Sequence, residues 1–568
     1  MIPFKTPKLP KLLISGRWLE KKQNTILSAG VIIATANLFS LIAGVVRDRL
    51  LLGQYYGPGV AGEMYTAFQL AFQLPDTMYQ LIVLGALSAA FIPIFTETWK
   101  KRSKKDAYVL TSTVMTILLI AFIAASVLVF IFADQITAFR TGDEFTPLQI
   151  KVAADLTKIM IVAQILFAIS NFYTGILQSF QRFILPAISP LFYNLGIILG
   201  AYFFKEQYGI YGAGIGVIIG AFLHMIIQFP LVYKLGFRFT FSLDLSFPGV
   251  KKLFSLMPAR VLTYSLTEVQ NLALGFFATS IGSISFMIIK LGLRLMTMPI
   301  RLFGVSIGQA SLPFLSEESS TLDTEKFKVL VVQSLNQISF FALPSSVLLL
   351  ILRVPIVRLA YGARNLDWTS TLSIGRVVAI LALSVAAQAL VQLLIRAFHA
   401  LKDTKTPFIV TVIVVSLYLI FASYFVFFTE FGVLGLAITT TAVAILELFL
   451  FLILLHKKVE GLIDKSFFIP QSKMLVSSFL MAVFLYLPFK VLDELVFDTS
   501  KSVELLALTI ITTTIGFLVY IYFSALLQVR ELTLISRLAK HFSFWRRGLD
   551  KAEEFVYEPG LEDRDLQL

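Results

Sequence analysis

Ala90-Phe91-Ile92-Pro93-Ile94-Phe95-Thr96-Glu97 returns later in the chain as Ala310-Ser311-Leu312-Pro313-Phe314-Leu315-Ser316-Glu317. A second match keeps nearly the same spacing. Pro186, Tyr202-Phe203, Gly209 and Gly212 are echoed by Pro407, Tyr424-Phe425, Gly432 and Gly435, at an offset almost equal to the first. Two matches at almost one offset, both in apolar surroundings, read as a duplicated membrane unit, an organisation from which many transporters are built.

The surroundings of both copies bear this out. Of 568 residues, 57% are hydrophobic and only 15% charged, and the mean hydropathy is +0.82. No soluble domain covers its surface with so few charges. A bilayer core about 30 Å thick needs roughly 20 apolar residues per helix, and the chain is punctuated at that rhythm from Ile26 to Gln528. We therefore expect an all-α polytopic membrane protein of about 14 transmembrane helices. The spans fall at 26–53, 63–97, 108–133, 152–180, 183–204, 209–235, 250–279, 283–316, 328–352, 372–400, 407–428, 433–456, 474–493 and 503–528.

Each copy of the repeat holds six spans, an even number, so both copies share one orientation and are related by an axis along the membrane normal. The expected organisation is two parallel six-helix repeats plus two extra C-terminal helices. Residues 1–25 form a basic, proline-broken cytoplasmic segment that is not a cleavable leader. The N-lobe is 26–235, the C-lobe 250–457, and spans 13 and 14 lie within 474–528. Residues 530–568 carry a cytoplasmic amphipathic helix with Arg537, Lys540, Arg546 and Arg547, then an acidic tail whose composition favours disorder.

Composition also excludes much. The absence of cysteine removes disulfides, thiolate metal sites and Cys nucleophiles, and four histidines leave little for a metal. The net charge of +13 does not indicate nucleic acid, because the cations sit at span ends. Lys100, Lys101, Arg102, Lys104, Lys105, Lys251, Lys252, Lys402, Lys405, Lys457 and Lys458 all follow an even-numbered span or precede an odd-numbered one. This positive-inside pattern places both termini in the cytoplasm; Arg353, Arg358 and Arg364 are a local exception. There is no Gly-rich phosphate loop, no catalytic triad and no long extramembrane segment, so neither an enzyme nor an ATP-driven pump is expected, and no cofactor or metal. Transport would run on an ion gradient, the membrane potential or the substrate's own gradient.

A charge at the centre of a spanning helix costs about 2.5–3.5 kcal/mol on insertion scales. Arg47-Asp48-Arg49 lies near the outer end of span 1; these side chains either snorkel to the interface or place Arg47 in a cavity to bind an anion, with Asp48 fixing it. Glu63 and Asp76 lie in span 2, Arg260 and Glu268 in span 7, and Lys290, Arg294 and Arg301 in span 8. Spans 1, 2, 7 and 8 are repeat-equivalent pairs, and a substrate site is expected near the midplane between the two halves. Lys290, Arg294 and Arg301 are spaced to share one helical stripe, which implies an anionic ligand or an acidic facing helix; Arg294 could instead pair with Glu268 or Asp76. Pro75 and Pro299 occupy nearly equivalent repeat positions and are expected to kink their helices. Glu447 and His224 read as packing residues.

Several stretches together resemble a known family: Ser40 to Asp48, Gly57-Pro58-Gly59, Phe72-Gln73-Leu74-Pro75, Gly85-Ala86, Arg182-Phe183 to Pro186 with Pro190 and Asn194, Arg294 to Pro299, Gly304 to Gly308 with Leu312-Pro313, and Asp403 to Pro407. In this order, over roughly residues 30 to 460, they resemble the MurJ (MviN) family of the multidrug/oligosaccharidyl-lipid/polysaccharide exporter superfamily. The resemblance implies an alternating-access flippase of the bacterial inner membrane. Such a protein moves lipid II, the undecaprenyl-diphosphate-linked peptidoglycan precursor, from the cytoplasmic to the periplasmic leaflet. It further implies a V-shaped cationic cavity, with a groove toward spans 13 and 14 for the lipid tail.

The resemblance carries over Arg47, Asp48, Arg294 and Glu63; with the other charges of these spans, the expectation is that Arg47, Asp48 and Arg294, helped by Arg260 and Lys290, hold the diphosphate, and that Glu63, Asp76 and Glu268 form gating ion pairs. Its partners would be the lipid-linked diphosphate, membrane lipids and cell-wall synthesis proteins, the protein acting as a monomer. Leu41 and Tyr79 stand where many members carry arginine, and Thr297 where some carry glutamate. Lys290, Arg301 or Arg260 would then replace the missing cations, or the substrate differs. The alternatives are a flippase for another lipid-linked oligosaccharide, a drug exporter of the same superfamily, or a non-transporting membrane scaffold that recruits partners through its C-terminal helix.

Overall fold

A computed structural model describes residues 26–57, 59–84, 91–320, 324–362, 365–499 and 501–533. The basic N-terminal segment, Gly85-Ala86, Arg364 and the amphipathic helix and acidic tail beyond 533 lie outside the described residues. Among the described residues the regular structure is helical and contains no strand.

The helices form fourteen successive rods in the positions expected. Span 1 is Ile26–Tyr55. Span 2 is broken into Val60–Ala71, Gln73–Tyr79 and Phe91–Lys101, with a π-helical turn over Gln80–Leu84. Spans 3 to 6 are Lys104–Ile131, Pro147–Ser179, Ile184–Phe203 and Ile210–Ile226, and span 7 is Pro248–Ile281. Span 8 is Ser285–Pro299 and Ser306–Ser320 about a π-helical turn over Ile300–Val305. Span 9 is Thr324–Ile351, span 10 is Trp368–Ala382 and Val385–Ala400 bent by 48°, and spans 11 and 12 are Lys405–Phe428 and Val433–Lys458. Spans 13 and 14 are Lys465–Val491 and Ser502–Leu526. Among the described residues nine helices are long and apolar enough to cross a membrane, and the bent pair of span 10 makes ten. The four rods outside that count are spans 1, 2, 7 and 8.

The backbone repeats as the sequence does. Span 4 ends with Gln181 in the left-handed region (φ 58°), and span 10 ends with Lys402, its counterpart in the second copy, also at φ 58°. Both stops close the same way: Arg182 N–H donates to Leu177 O at 2.8 Å, and Asp403 N–H to Phe398 O at 2.9 Å. This is the left-handed helix stop that satisfies the last free carbonyls, here without glycine. Thr146 caps the start of span 4 and Asp367 the start of span 10. Gly209 and Gly432 open spans 6 and 12 at φ 54° and 55°, a conformation that favours glycine. The two π-helical turns are related by the offset of the opening octapeptide. They, rather than the prolines, are the matched interruptions. Pro299 leads directly into its turn, whereas Pro75 lies inside Gln73–Tyr79 and the first break in span 2 falls at Phe72.

Spans 5 and 6 make the tightest pair. A Cβ on Gly196 would lie 2.3 Å from the Gly220 Cα, and one on Gly200 would lie 2.1 Å from the Gly216 Cα, so the backbones touch. Small residues four apart allow this close approach in membrane helices. Span 1 packs on span 5, span 2 on span 4 and span 4 on span 6; correspondingly, span 8 packs on span 10, and span 10 on spans 9 and 12. Span 7 packs on span 11 and also reaches spans 2 and 3. Spans 13 and 14 pack on each other and on span 9, turning Phe479, Phe484, Ile510 and Leu518 outward.

Candidate functional site

Odd-numbered spans run toward one end of the bundle, here called the far end, and even-numbered spans return to the near end. Arg47 and Asp48 lie two turns before the end of span 1, and Arg294 lies in the first part of span 8, so the three meet at one level in the far half. Asp48 is 1% exposed. Its Oδ1 accepts from Arg47 Nε at 3.0 Å and Nη2 at 2.8 Å, and its Oδ2 accepts from Arg294 Nη1. Arg47 Nη1 also donates to Asn194 Oδ1 of span 5 at 2.9 Å, and Arg294 Nη2 to Gln69 Oε1 of span 2 at 3.4 Å. One buried carboxylate therefore holds two guanidiniums from opposite copies of the repeat. Snorkelling is excluded for Asp48, and Arg294 pairs with Asp48 rather than with Glu268 or Asp76.

Two cavities adjoin this clamp. The smaller, about 250 Å³, is lined by Arg47, Asp48, Gln69, Gln73, Asp76, Tyr193, Lys290 and Arg294 with Leu51, Phe68, Phe72 and Ile197. The larger, about 650 Å³, runs toward the near end along span 1 from Gly44 to Leu38 and along span 8 from Thr297 to Gln309. Arg47, Tyr193 and Arg294 border both.

Lys290 lines the smaller cavity, with its ammonium 5.3 Å from the Phe286 ring centre, and among the described residues it forms no salt bridge. Arg301 is exposed and borders only the larger cavity. Of the three cations expected on one stripe, Lys290 and Arg294 border the smaller cavity and Arg294 and Arg301 the larger. The side chain of Arg260 lies outside the described residues.

Among the described residues, the three carboxylates expected in gating ion pairs accept hydrogen bonds from uncharged side chains. Asp76 accepts from Gln164 Nε2 at 2.5 Å. Glu268 accepts from Thr77 Oγ1 at 2.8 Å, linking spans 2 and 7, and from Asn271 Nδ2 at 3.3 Å. Glu63 accepts from Thr146 Oγ1 at 3.4 Å, outside both cavities. Leu41 and Thr297 border the larger cavity, and the Tyr79 hydroxyl accepts from Asn171.

The far end is sealed by further bonds between the copies. Tyr56 Oη lies 2.8 Å from Ser370 Oγ, Asn365 Nδ2 donates to Gly53 O at 2.9 Å, and Arg49 Nη1 donates to Leu359 O at 2.8 Å. Gly142 N–H donates to Thr279 Oγ1 at 2.9 Å and Gln149 Nε2 to Ser283 O at 2.9 Å. Asn194, Gln69, Gln73, Gln164 and Arg140 escape a reading of charged residues in spans, because four are uncharged and the last lies in a connection. The internal offset could have found two of them: shifted by the interval that takes Pro186 to Pro407, Gln69 and Gln73 fall on Lys290 and Arg294.

A cavity with three cations, two of them guanidiniums already spent on a carboxylate, suits an anion that can take that carboxylate's place; guanidinium pairs bidentately with phosphate oxygens. The family model for lipid II flippase MurJ matches residues 60–508. A probable lipid II flippase MurJ of Thermotoga maritima is 29% identical over 508 residues, covering 89% of this chain and 97% of the relative. The lipid II flippase MurJ of Burkholderia cenocepacia is 25% identical over 428 residues, covering 74% and 82%. A solved structure of lipid II flippase MurJ in an inward closed conformation superposes with a TM-score of 0.70 at 24% identity, over 87% of this chain and 98% of that one. A multidrug resistance MATE transporter in an inward-facing conformation shares the fold, with a TM-score of 0.61 at 13% identity, over 76% and 98%.

Proposed function

We propose that this chain, which belongs to the lipid II flippase MurJ family, carries lipid II from the cytoplasmic to the periplasmic leaflet of a bacterial inner membrane. The far end is periplasmic, both termini are cytoplasmic, and residues 26–235 and 250–457 act as the two lobes. The arrangement described above is then closed toward the periplasm, with the larger cavity lying on the cytoplasmic side of the clamp.

The observation that carries this reading is Asp48 held between Arg47 and Arg294. The carboxylate pairs with both arginines, offsetting one of their two charges, and ties the lobes together. An incoming diphosphate offers more charge and more acceptor oxygens, so it replaces Asp48 as the partner of both guanidiniums, with Lys290 as a further cation and Arg260 assisting from span 7. Loss of the Asp48 bridge weakens the periplasmic seal. The lobes part there, and the headgroup is delivered while the polyprenyl chain stays in lipid along spans 13 and 14. Glu63, Asp76 and Glu268 bias this exchange through their hydrogen bonds.

Expression in bacteria depleted of their own lipid II flippase tests the proposal, with periplasmic exposure of lipid II followed by enzymatic cleavage of the flipped headgroup. Restored exposure is expected. A correctly inserted protein that leaves lipid II inaccessible would reject lipid II as substrate and redirect the search to other lipid-linked saccharides.

A further inference from the structure

We infer that Arg140, in the connection between spans 3 and 4, is a phosphate ligand of the first repeat's cavity wall, covered in this closed arrangement by Gln73 and span 7 and uncovered when span 7 withdraws. The inference deepens the proposed function and rests on it.

Arg140 is 9% exposed, and among the described residues it meets no carboxylate within salt-bridge distance. Its Nη1 donates to Gln73 Oε1 at 3.2 Å and its Nη2 to Leu70 O at 3.2 Å, while Nε has no partner. A buried, unpaired guanidinium is costly and is not retained for packing alone.

The second repeat supplies an internal control. Tyr361 is the repeat counterpart of Arg140, at the interval that relates Gln181 to Lys402, and Leu291 is at that same interval the counterpart of Leu70. The Tyr361 hydroxyl donates to Leu291 O at 3.1 Å. A neutral phenol thus satisfies the same carbonyl beside the same helix. The positive charge of Arg140 is surplus to that structural task.

The same offset shows what the charge is for. At this offset Gln69 and Gln73 of span 2 correspond to Lys290 and Arg294 of span 8, so span 2 presents amides to the cavity where span 8 presents cations. Arg140 stands directly behind Gln73, bonded to its side chain, and supplies a cation beside span 2 in addition to Arg47 of span 1.

Span 7 keeps it covered. Gln73 Nε2 donates to Asn271 O, and the Gln73 amide lies against the bare Cα of Gly275, where a Cβ would come within 2.5 Å of Oε1. Two residues beyond Arg140, Gly142 abuts Ser280 so closely that a Cβ would lie 2.4 Å from its Cα. Withdrawal of span 7 breaks the Asn271 and Thr279 bonds together, releases the Gln73 amide and opens space against the guanidinium.

The chain has no cysteine, so Gln149→Cys with Ser283→Cys, bridged by a short bis-maleimide that adds one thiol to each end, would hold the far end shut. Binding of farnesyl diphosphate to the full protein in nanodiscs is then measured with and without the bridge. Arg140→Gln is expected to lower affinity about tenfold or more in the unbridged protein and to leave the bridged protein unchanged, with Arg140→Lys retaining most of the affinity. Equal affinity of wild type and Arg140→Gln when unbridged would overturn the inference, as would an equal loss in both forms, the mark of a purely structural role. Should Arg140→Gln not fold, Gln73→Ala uncovers the cation without altering it and is expected to raise the affinity of the bridged protein; no rise would overturn the inference. Failure of the wild type to bind farnesyl diphosphate in either form would reject the proposed function itself.

Discussion

Asp48 and Arg294 are separated by 246 residues of sequence and joined by a salt bridge, and the same carboxylate is bonded to its neighbour Arg47. A single side chain thereby sets both the charge of the cavity and the contact between two halves of a duplicated protein.

Removing Arg294 should leave Asp48 buried beside one cation and cost about 2–5 kcal/mol at that contact. Arg294→Ala is expected to insert and fold but to lose lipid II exposure in flippase-depleted cells. Full complementation by that variant would remove Arg294 from the site.

Lys290 and Glu63 should separate sharply. Lys290 lines the small cavity without an acidic bond, so Lys290→Gln removes a cation available to substrate, worth about 1.5–3 kcal/mol or roughly 10–150-fold in binding. Glu63 accepts one long hydrogen bond outside the cavities, so Glu63→Gln is expected to change diphosphate affinity less than about threefold, within the ordinary worth of a neutral hydrogen bond. Titration of both variants with farnesyl diphosphate decides whether charge in the cavity or charge near its rim matters.

Gly142 has no room for a methyl group against Ser280. Gly142→Ala should push span 7 away from the connection that carries Arg140 and favour the parted arrangement. Solvent labelling of a single cysteine at Thr279 is expected to rise relative to the same cysteine in the parent; unchanged labelling would show that the contact yields without moving span 7.

Asp464 begins span 13 and accepts from Ser466 N–H at 2.8 Å, while it also pairs with Lys328 of span 9 at 3.1 Å. Its bonds to Ser466, then to Lys328, hold its carboxyl down at about 2. The folded value lies below the unfolded value of about 3.9, so this contribution is complete above that value and disappears as pH falls through about 2. Asp464→Ala should cost about 0.5–2 kcal/mol of cap stability. The melting difference from wild type in detergent is expected to stay constant from about pH 7 to pH 5 and to shrink only below about pH 4; a difference that already narrows at neutral pH would deny Asp464 this role.

The duplication, the rhythm of the spans and the presence of Arg47, Asp48 and Arg294 inside spans were legible because apolar runs and isolated membrane charges are strong signals. The partner of each charge was not, since helical spacing fixes a face but not the neighbour that face meets. Arg294 reached Asp48 instead of Glu268, and Arg301 borders the larger cavity while Lys290 borders the smaller. Arg140 escaped for another reason: it lies in a connection, where an arginine ordinarily faces water, and only the burial of Arg140, Thr141 and Gly142, the last against Thr279 and Ser280 of span 7, gives it a different environment. Asn194 and Gln164 are uncharged, and nothing in one sequence separates a cavity amide from a surface amide.

The touching backbones of Gly196, Gly200, Gly216 and Gly220 have a mechanical consequence. Spans 5 and 6 leave no compressible side-chain layer between them, so they behave as one strut. Asn194 fastens Arg47 to that strut within a turn of the first glycine contact. Under the proposed exchange a shift of Arg47 would therefore move spans 5 and 6 together rather than one against the other.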